Sequence, residues 1–424
     1  MIDMVGIGPF VVMPLVVSYF HNGLFLWAWI FGAFTAFADA MIWSELGAAY
    51  PLAGGTYNFL RIGYGSKWGK LMSFLFVWQT SIQSPLVVAS GAIGFAQYLS
   101  YIVDMNLLQQ KVVSAVLVIV VFILLYRKIE TIGKISVVLW IVVVLTVAWI
   151  IFTGFTHPQH SMQFLPTGRE SFFSYAFWAA VGQGSVKTVY SYLGYYNVCH
   201  LGAEIKQPEK NIPKSIFISI AGIATLYLLM NMSVMTVIPW QEVKPDEKHL
   251  VSMFMERIYG HEAGIIVTAL ILWIALASLF AIVLGYSRIP YAAAADGNFF
   301  LAFSRLHPTK NFPYVSLIFL CGLGLVFSLL FRLGQVIDSI LAMRILIQFI
   351  GQAIGLVLLR RRDGKSNLPF KMWLYPVPIV LSVCIWLFLF VSTGWFALWG
   401  TLIAMAGVIV YFISKRFTLR GSSR

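Results

Sequence analysis

Residues 263–287 read AGIIVTALILWIALASLFAIVLGYS and contain no charged side chain. A helix rises about 1.5 Å per residue, so about 20 apolar residues cross a hydrocarbon layer of roughly 30 Å. The quoted segment is long enough to do so. A helix also satisfies its own backbone hydrogen bonds, for which lipid offers no partners. We therefore predict that this segment crosses a membrane as a helix.

Comparable apolar segments recur along the whole chain. Of the 424 residues, 60% are hydrophobic and 11% are charged, and the mean hydropathy is +0.84. So few polar residues cannot coat a water-soluble globule. No segment of suitable length alternates as the strands of a membrane β-barrel do. The sequence predicts an all-α polytopic membrane protein with about twelve spans, at about residues 2–20, 24–49, 71–102, 112–126, 135–155, 183–204, 215–238, 263–287, 313–331, 334–359, 372–393 and 395–414.

The distribution of basic residues predicts the orientation. Most of the 29 Lys and Arg residues fall in loops that share one side if both termini are cytoplasmic, as the positive-inside rule requires. Topology and anionic lipid, rather than nucleic acid, then account for the net charge of +13. We expect one transmembrane domain over 1–414, in the cell membrane, and a basic cytoplasmic tail over 415–424.

No cofactor or metal site is predicted. Cys199, Cys321 and Cys384 lie in predicted spans without metal-ligand or disulfide spacing. No soluble domain and no P-loop pattern interrupts the spans, which favours a secondary transporter or channel over a pump. The longest connection, about 239–262, contains an amphipathic stretch over 249–259 that is expected to form an outer capping helix.

Two spans are interrupted by glycine. Span one contains Gly6-Ile7-Gly8-Pro9, and span six contains Tyr192-Leu193-Gly194-Tyr195-Tyr196. Because they lie five spans apart, they suit an inverted repeat of about 1–155 and about 173–360, followed by two extra spans over about 372–414. Unwound backbone offers N–H groups to a carboxylate and carbonyls to an ammonium. The alternative is that these glycines only allow close helix packing.

Three motifs resemble the amino acid-polyamine-organocation (APC) superfamily in order and spacing. The second-span motif is Ser44-Glu45-Leu46-Gly47-Ala48-Ala49-Tyr50-Pro51 with Ala53-Gly54-Gly55-Thr56-Tyr57. The sixth-span motif is Tyr192-Leu193-Gly194-Tyr195 with Ala203-Glu204-Ile205-Lys206, Pro208 and Asn211-Ile212-Pro213. The eighth-span motif is Ser287-Arg288, Tyr291, Ala294 and Asp296-Gly297. The resemblance covers nearly the whole chain.

The resemblance implies a five-plus-five inverted-repeat fold with discontinuous helices one and six. The substrate would lie at mid-membrane between spans one, three, six and eight. The backbone of Ile7 and Gly8 would receive its carboxylate, and carbonyls of residues 192–194 would receive its amino group. Many members carry a hydroxyl residue between the two glycines of span one, whereas this chain has Ile7.

Four charged residues inside predicted spans are candidates for coupling or gating, because charge in lipid is costly. They are Asp39, Glu45, Lys187 and Arg344. Structural pairing is the alternative for Asp39 and Arg344, and an extended side chain reaching the surface is the alternative for Lys187. Glu45 suits an inner gate or an anchor. Candidates for substrate contact in span six are Tyr192, Leu193, Gly194, Tyr195 and Tyr196.

The first span is short on its cytoplasmic side, since only five residues precede Gly6. We expect either a start upstream of the given Met1, a truncated chain, or an inner gate that differs from that of the superfamily.

The sequence predicts a secondary transporter of amino acids or related amines that works by alternating access. The alternatives are a polyamine or organic-cation transporter and a transport-dead membrane sensor of the same fold. A channel and a membrane enzyme are disfavoured, because neither a filter nor a catalytic cluster is recognisable. The coupling ion, proton or sodium, and the oligomeric state stay open.

Overall fold

The computed structural model describes residues 4–20, 22–52, 54–126, 132–161, 172–200, 202–244, 247–364 and 368–421. All regular secondary structure in these ranges is helical. The first helices are α1 Gly8–Val17, α2 Leu26–Ala49, α3 Thr56–Gly63, α4 Gly65–Leu99, α5 Leu107–Leu125, α6 Ile132–Thr156, α7 Tyr175–Tyr192, α8 Asn197–His200 and α9 Pro208–Met235. The remaining helices are α10 Leu250–Tyr259, α11 His261–Tyr286, α12 Arg288–Ala295, α13 Tyr314–Leu330, α14 Leu333–Arg344, α15 Gln352–Asp363, α16 Val377–Ser392 and α17 Trp395–Gly421.

Within the described ranges, seven helical stretches are long and apolar enough to cross a membrane. They are Gly23–Ala49, Gly65–Leu99, Leu107–Leu125, Pro208–Met235, His261–Ala295, Leu333–Asp363 and Trp395–Ser414. Shorter apolar helical stretches are Gly8–Val17, Ile141–Thr156, Tyr314–Leu330 and Val377–Ser392. The polytopic helical character predicted from composition is therefore present.

Several predicted boundaries are wrong by a few residues. Helix α4 begins at Gly65 rather than at 71, and α9 begins at Pro208 rather than at 215. Hydropathy detects only the apolar part of a helix, whereas backbone hydrogen bonding continues through the polar first turns. Helix α17 likewise extends to Gly421, so the predicted tail is helical up to that residue.

Local signals set other helix ends. Asn106 and Gln109 form a capping box at α5, in which each side chain accepts a hydrogen bond from the other's backbone N–H, at 2.9 and 2.8 Å. Ser174 accepts from the N–H of Phe177, at 3.1 Å, and so caps α7. The helix expected over 249–259 is present as α10. A π-helical segment, Ile345–Gly351, joins α14 to α15 and was not foreseen.

The interior of the protein is formed by a subset of the helices. In an apolar 18-residue segment of α4, and in one of Leu333–Asp363, 78% of the segment is buried inside the protein. The corresponding share for α17 is 11%. Helices α2 and α7 approach closely at Gly32, where a Cβ would lie 2.6 Å from the Thr188 hydroxyl. This contact fixes α7, and with it the chain that follows, next to the interior.

Candidate substrate-binding site

The predicted interruption of span six is present between α7 and α8. Helix α7 ends at Tyr192, Leu193 is extended with φ −60° and ψ 147°, and Gly194 has φ 115°. L-residues with a Cβ rarely adopt such a positive φ, so glycine at 194 allows the chain to turn here. Helix α8 then begins at Asn197. The carbonyls of Tyr192 and Leu193 accept no hydrogen bond within the described ranges.

A second helix starts beside this break. Residues 4–7 are irregular, and α1 begins at Gly8, with Pro9 in its first turn. The N–H groups of Ile7 and Gly8 have no hydrogen-bond acceptor in the described part of the chain. Two donors without a partner in the described ranges, at a helix N-terminus where the helix dipole is positive, favour an anion.

The two irregular segments lie against each other. A Cβ at Gly8 would lie 3.2 Å from the ring of Tyr190 and 3.3 Å from the hydroxyl of Ser191. The hydroxyl of Tyr227 donates to the carbonyls of both Met4, at 2.7 Å, and Ser191, at 3.3 Å. One tyrosine of α9 thus ties the start of α1 to the end of α7.

Between these segments lies a cavity with an empty volume of about 620 Å³, counting its open mouth. Seven of the predicted residues line it, namely Gly6, Ile7, Gly8, Leu193, Gly194, Tyr196 and Arg344. The other predicted residues, Tyr192, Tyr195, Asp39, Glu45 and Lys187, do not. Tyr192 packs its ring against Trp29 and Tyr227, with centroids 6.1 and 5.4 Å apart.

Sequence reasoning missed several lining residues, among them Tyr190, Ser191, Ser278 and Tyr286. Ser191 is the most informative, because its hydroxyl is buried and has no hydrogen-bond partner among the described residues. Ser191 lies next to Gly8. A hydroxyl group from α7 is therefore present close to Ile7, the position at which many superfamily members carry a hydroxyl residue. For Tyr190 the sequence did contain a signal. It lies four residues, about one helical turn, before Gly194 and therefore on the same face of the helix.

Arg344, at the end of α14, brings a positive charge to the cavity wall. Its guanidinium donates from Nη1 to the hydroxyl of Tyr196 and from Nη2 to that of Tyr286. It lies 5.7 and 5.6 Å from the centroids of the same two rings, within cation–π range. The residue is only 3% exposed, and its Nε–H has no partner in the described ranges.

Asp39 of α2 lies behind the cavity wall. Its carboxylate accepts from Tyr195 and Trp43, each at 2.6 Å, and from Ser382 and Trp386, at 3.2 and 3.3 Å. These donors belong to α2, the break after α7, and α16. Charge-assisted bonds of this kind satisfy a buried carboxylate, so Asp39 joins three elements.

The two remaining charged candidates form ion pairs, of which that of Glu45 is buried and that of Lys187 is partly buried. Glu45 accepts two hydrogen bonds from Arg360 of α15 and one from the N–H of Met372, the latter at 2.7 Å. Lys187 of α7 donates to Asp338 of α14. Its ammonium is therefore held inside the protein rather than extended to the surface. Asp338 was missed by sequence reasoning, although a carboxylate inside a predicted span was itself a signal.

The chain matches a known protein family over almost its whole length. Residues 1–414 match the family described as amino acid permease. The chain is 26% identical to the uncharacterized amino acid permease YecA of Bacillus subtilis, over 95% of this chain and 90% of that protein. It is 23% identical to the serine/threonine exchanger SteT of the same organism, over 97% and 93%. It is 25% identical to Asc-type amino acid transporter 1 of Mus musculus, over 97% and 78%.

The predicted resemblance to the APC superfamily is thereby confirmed, and the apolar helices are those of a polytopic protein. The chain belongs to the amino acid permease family and is an integral membrane protein that crosses the bilayer several times.

Proposed function

We propose that this protein transports amino acids across the cell membrane by alternating access, as a secondary transporter. The observation that carries the proposal is the cavity between the start of α1 and the end of α7, where, among the described residues, the N–H groups of Ile7 and Gly8 and the carbonyl of Leu193 have no hydrogen-bond partner. A zwitterion needs donors for its carboxylate and acceptors for its ammonium. The amino acid transporters named among the relatives support the same substrate class.

The carboxylate is assigned to the start of α1 and the ammonium to the end of α7. The dipole of α1 is positive at its N-terminus, and that of α7 is negative at its C-terminus. The unpaired hydroxyl of Ser191 lies beside Gly8 and is a further donor for the carboxylate. The two ends of the amino acid backbone are then held by opposite helix ends.

The cavity argues against the polyamine alternative. A polyamine has no carboxylate and requires acidic groups around it. Among the described residues, those that line the cavity include Arg344 and no Asp or Glu, so a polycation would meet a like charge there. Amino acids are therefore the preferred substrates.

The proposed architecture has about twelve spans in two inverted five-span repeats, with both termini cytoplasmic. It is supported by the order of the apolar helices and by the irregular segments before α1 and after α7, which fall in the first and sixth of the predicted spans. Transport would proceed by rocking or gating of the elements around α1 and α7 against their neighbours. The pair Lys187–Asp338 links α7 to α14 and is the proposed site of ion coupling, with proton or sodium as the ion.

Uptake of radiolabelled amino acids into proteoliposomes tests this proposal. Purified protein is reconstituted, and pH and sodium gradients are imposed separately, with protein-free liposomes as the control. We expect saturable uptake of at least one amino acid and none of putrescine. If protein that elutes as a monodisperse species takes up none of the amino acids, the proposal is wrong.

A further inference from the structure

We propose that the substrate carries a second carboxylate, as aspartate and glutamate do, and that Arg344 binds this side-chain carboxylate. The inference rests on the proposed function and names the substrate class of the same cavity. Its origin is one buried positive charge that has no opposite charge beside it among the residues that the structure describes.

Of the described residues that line the cavity, Arg344 is the one that carries a charge. Its recorded partners, Tyr196 and Tyr286, are neutral hydroxyls, and no ion pair in the described ranges includes it. Removing a guanidinium from water costs free energy that hydroxyl groups recover only in part. A carboxylate in the cavity would complete the compensation, because the guanidinium fork matches it with two parallel hydrogen bonds.

The other buried charges of this protein are treated differently. Glu45 is paired with Arg360, and Lys187 with Asp338. The carboxylate of Asp39 accepts hydrogen bonds from four donors, one of which is Trp43. The ring of Trp43 stacks on that of Tyr196, with centroids 4.7 Å apart, and these rings lie between Asp39 and Arg344. Asp39 therefore lowers the local potential without occupying the guanidinium. Arg344 still has Nε–H unpaired.

A substrate with a single carboxylate would not supply the counter-charge for Arg344. The start of α1 and the hydroxyl of Ser191 already provide an anion site for the backbone carboxylate, as argued above. A neutral amino acid held there would leave the buried guanidinium of Arg344 without an anion. A dicarboxylic amino acid has net charge −1 and places one carboxylate at each of the two sites. The net charge of cavity and substrate is then zero.

Matched pairs of substrates isolate the charge from size and shape. Glutamate and glutamine have nearly the same volume, as have aspartate and asparagine. Wild-type protein in proteoliposomes is given radiolabelled glutamate, and each of the four unlabelled amino acids is tested for inhibition of glutamate uptake. A hydrogen-bonded charge pair corresponds to roughly 10–100-fold in affinity, so we expect the acids to inhibit at least about tenfold better than their amides. Preference for glutamine, asparagine or serine over both acids would overturn the inference and leave amino acid transport standing.

Variants at position 344 assign the preference to this residue. We expect Arg344→Gln to lose roughly 10–100-fold in affinity for glutamate with little change for glutamine, and Arg344→Lys to retain part of the preference. Arg361→Gln, an exposed position on α15, is the control and should behave as wild type. Equal loss of glutamate and glutamine would assign Arg344 to the backbone carboxylate or to folding, and the inference would be wrong. If Arg344→Gln does not fold, the comparison of substrates on wild-type protein and Arg344→Lys decides.

Discussion

Arg360 and Glu45, 315 positions apart in the chain, form an ion pair in which Nε and Nη2 of the guanidinium donate to the two carboxylate oxygens. The side chains are only 5% and 0% exposed. The ring of Tyr375 covers the guanidinium at 4.0 Å from its centroid. The pair joins α2 to α15 and explains why a carboxylate near the end of α2 is tolerated in an apolar protein.

Glu45→Gln is expected to destabilise the protein by about 3–5 kcal/mol, because it leaves Arg360 buried without its counter-charge. The measurement is the unfolding midpoint in detergent. Arg362→Gln is the control, since Arg362 pairs with Asp363 and their side chains are 46% and 37% exposed. An exposed pair contributes about 0–1 kcal/mol. Equal shifts for the two variants would contradict the anchor role of Glu45.

Gly8→Leu is expected to abolish substrate binding while leaving the protein inserted and folded. A Cβ at this position already lies 3.2 Å from the ring of Tyr190, so a larger side chain fills the cavity. Gly322→Leu in α13 is the matched control, because no atom lies within 4 Å of a Cβ there. Binding is measured with a radiolabelled substrate and folding by size-exclusion profile. Unchanged affinity in Gly8→Leu would remove α1 from the site.

Ser191→Ala is expected to weaken binding by about tenfold, as expected for the loss of one hydrogen bond to a charged group. Stability should not change, since the hydroxyl has no partner in the described ranges. Ser114→Ala serves as the control: the hydroxyl of Ser114 donates to the Gln110 carbonyl, at 2.9 Å, outside the cavity. Reduced stability with normal affinity in Ser191→Ala would indicate a packing role instead.

Asp338→Asn is expected to destabilise the protein, because the Lys187 ammonium is then buried without a counter-charge. The double variant Lys187→Gln with Asp338→Asn should recover stability, since neither residue is then charged. Uptake by the double variant should also lose its dependence on the imposed ion gradient. Retained gradient dependence would show that the pair is structural and that coupling lies elsewhere.

The cluster of Tyr101 and Glu256 predicts a pH effect outside the membrane-crossing helices. Tyr101 donates to Glu256 at 2.6 Å, and this bond holds the pKa of the Glu256 carboxyl below its usual range, with a further contribution from His261. Because the pKa of Glu256 is lower in the folded state, its bond stabilises the protein at pH values above the unfolded-state pKa of about 4.3. This stabilisation is lost as the pH falls from there through the folded-state pKa.

Tyr101→Phe should therefore reduce the unfolding temperature slightly at pH 7, and the difference from wild type should shrink at pH values below about 4. The expected effect is small because the Glu256 side chain is 42% exposed. Tyr259→Phe, at an exposed position of the same helix, is the control. A difference that is constant from pH 7 to acid would exclude the Glu256 bond as its source.

The helix breaks illustrate what sequence can predict about a site. Glycine and proline act locally, through allowed φ values and a missing N–H, so the interruption at Gly194 and the start of α1 at Gly8 were readable before the fold was known. Which side chains face the cavity was not readable. Tyr192 and Tyr190 are alike in residue type and nearly adjacent, yet Tyr192 packs on Trp29 and Tyr227, whereas Tyr190 lines the cavity. The direction of a side chain depends on which neighbouring helix it meets.

The sequence by itself determined that the protein lies in a membrane, that it is helical, and that a helix breaks at Gly194, because hydropathy and backbone preference are properties of short segments. Only the tertiary structure decided which charges are paired. Lys187 and Asp338 are 151 positions apart, and a separation of that size leaves no trace in a local pattern. The fold alone brings such residues together, and it leaves Arg344 with two neutral tyrosines and no carboxylate among the described residues.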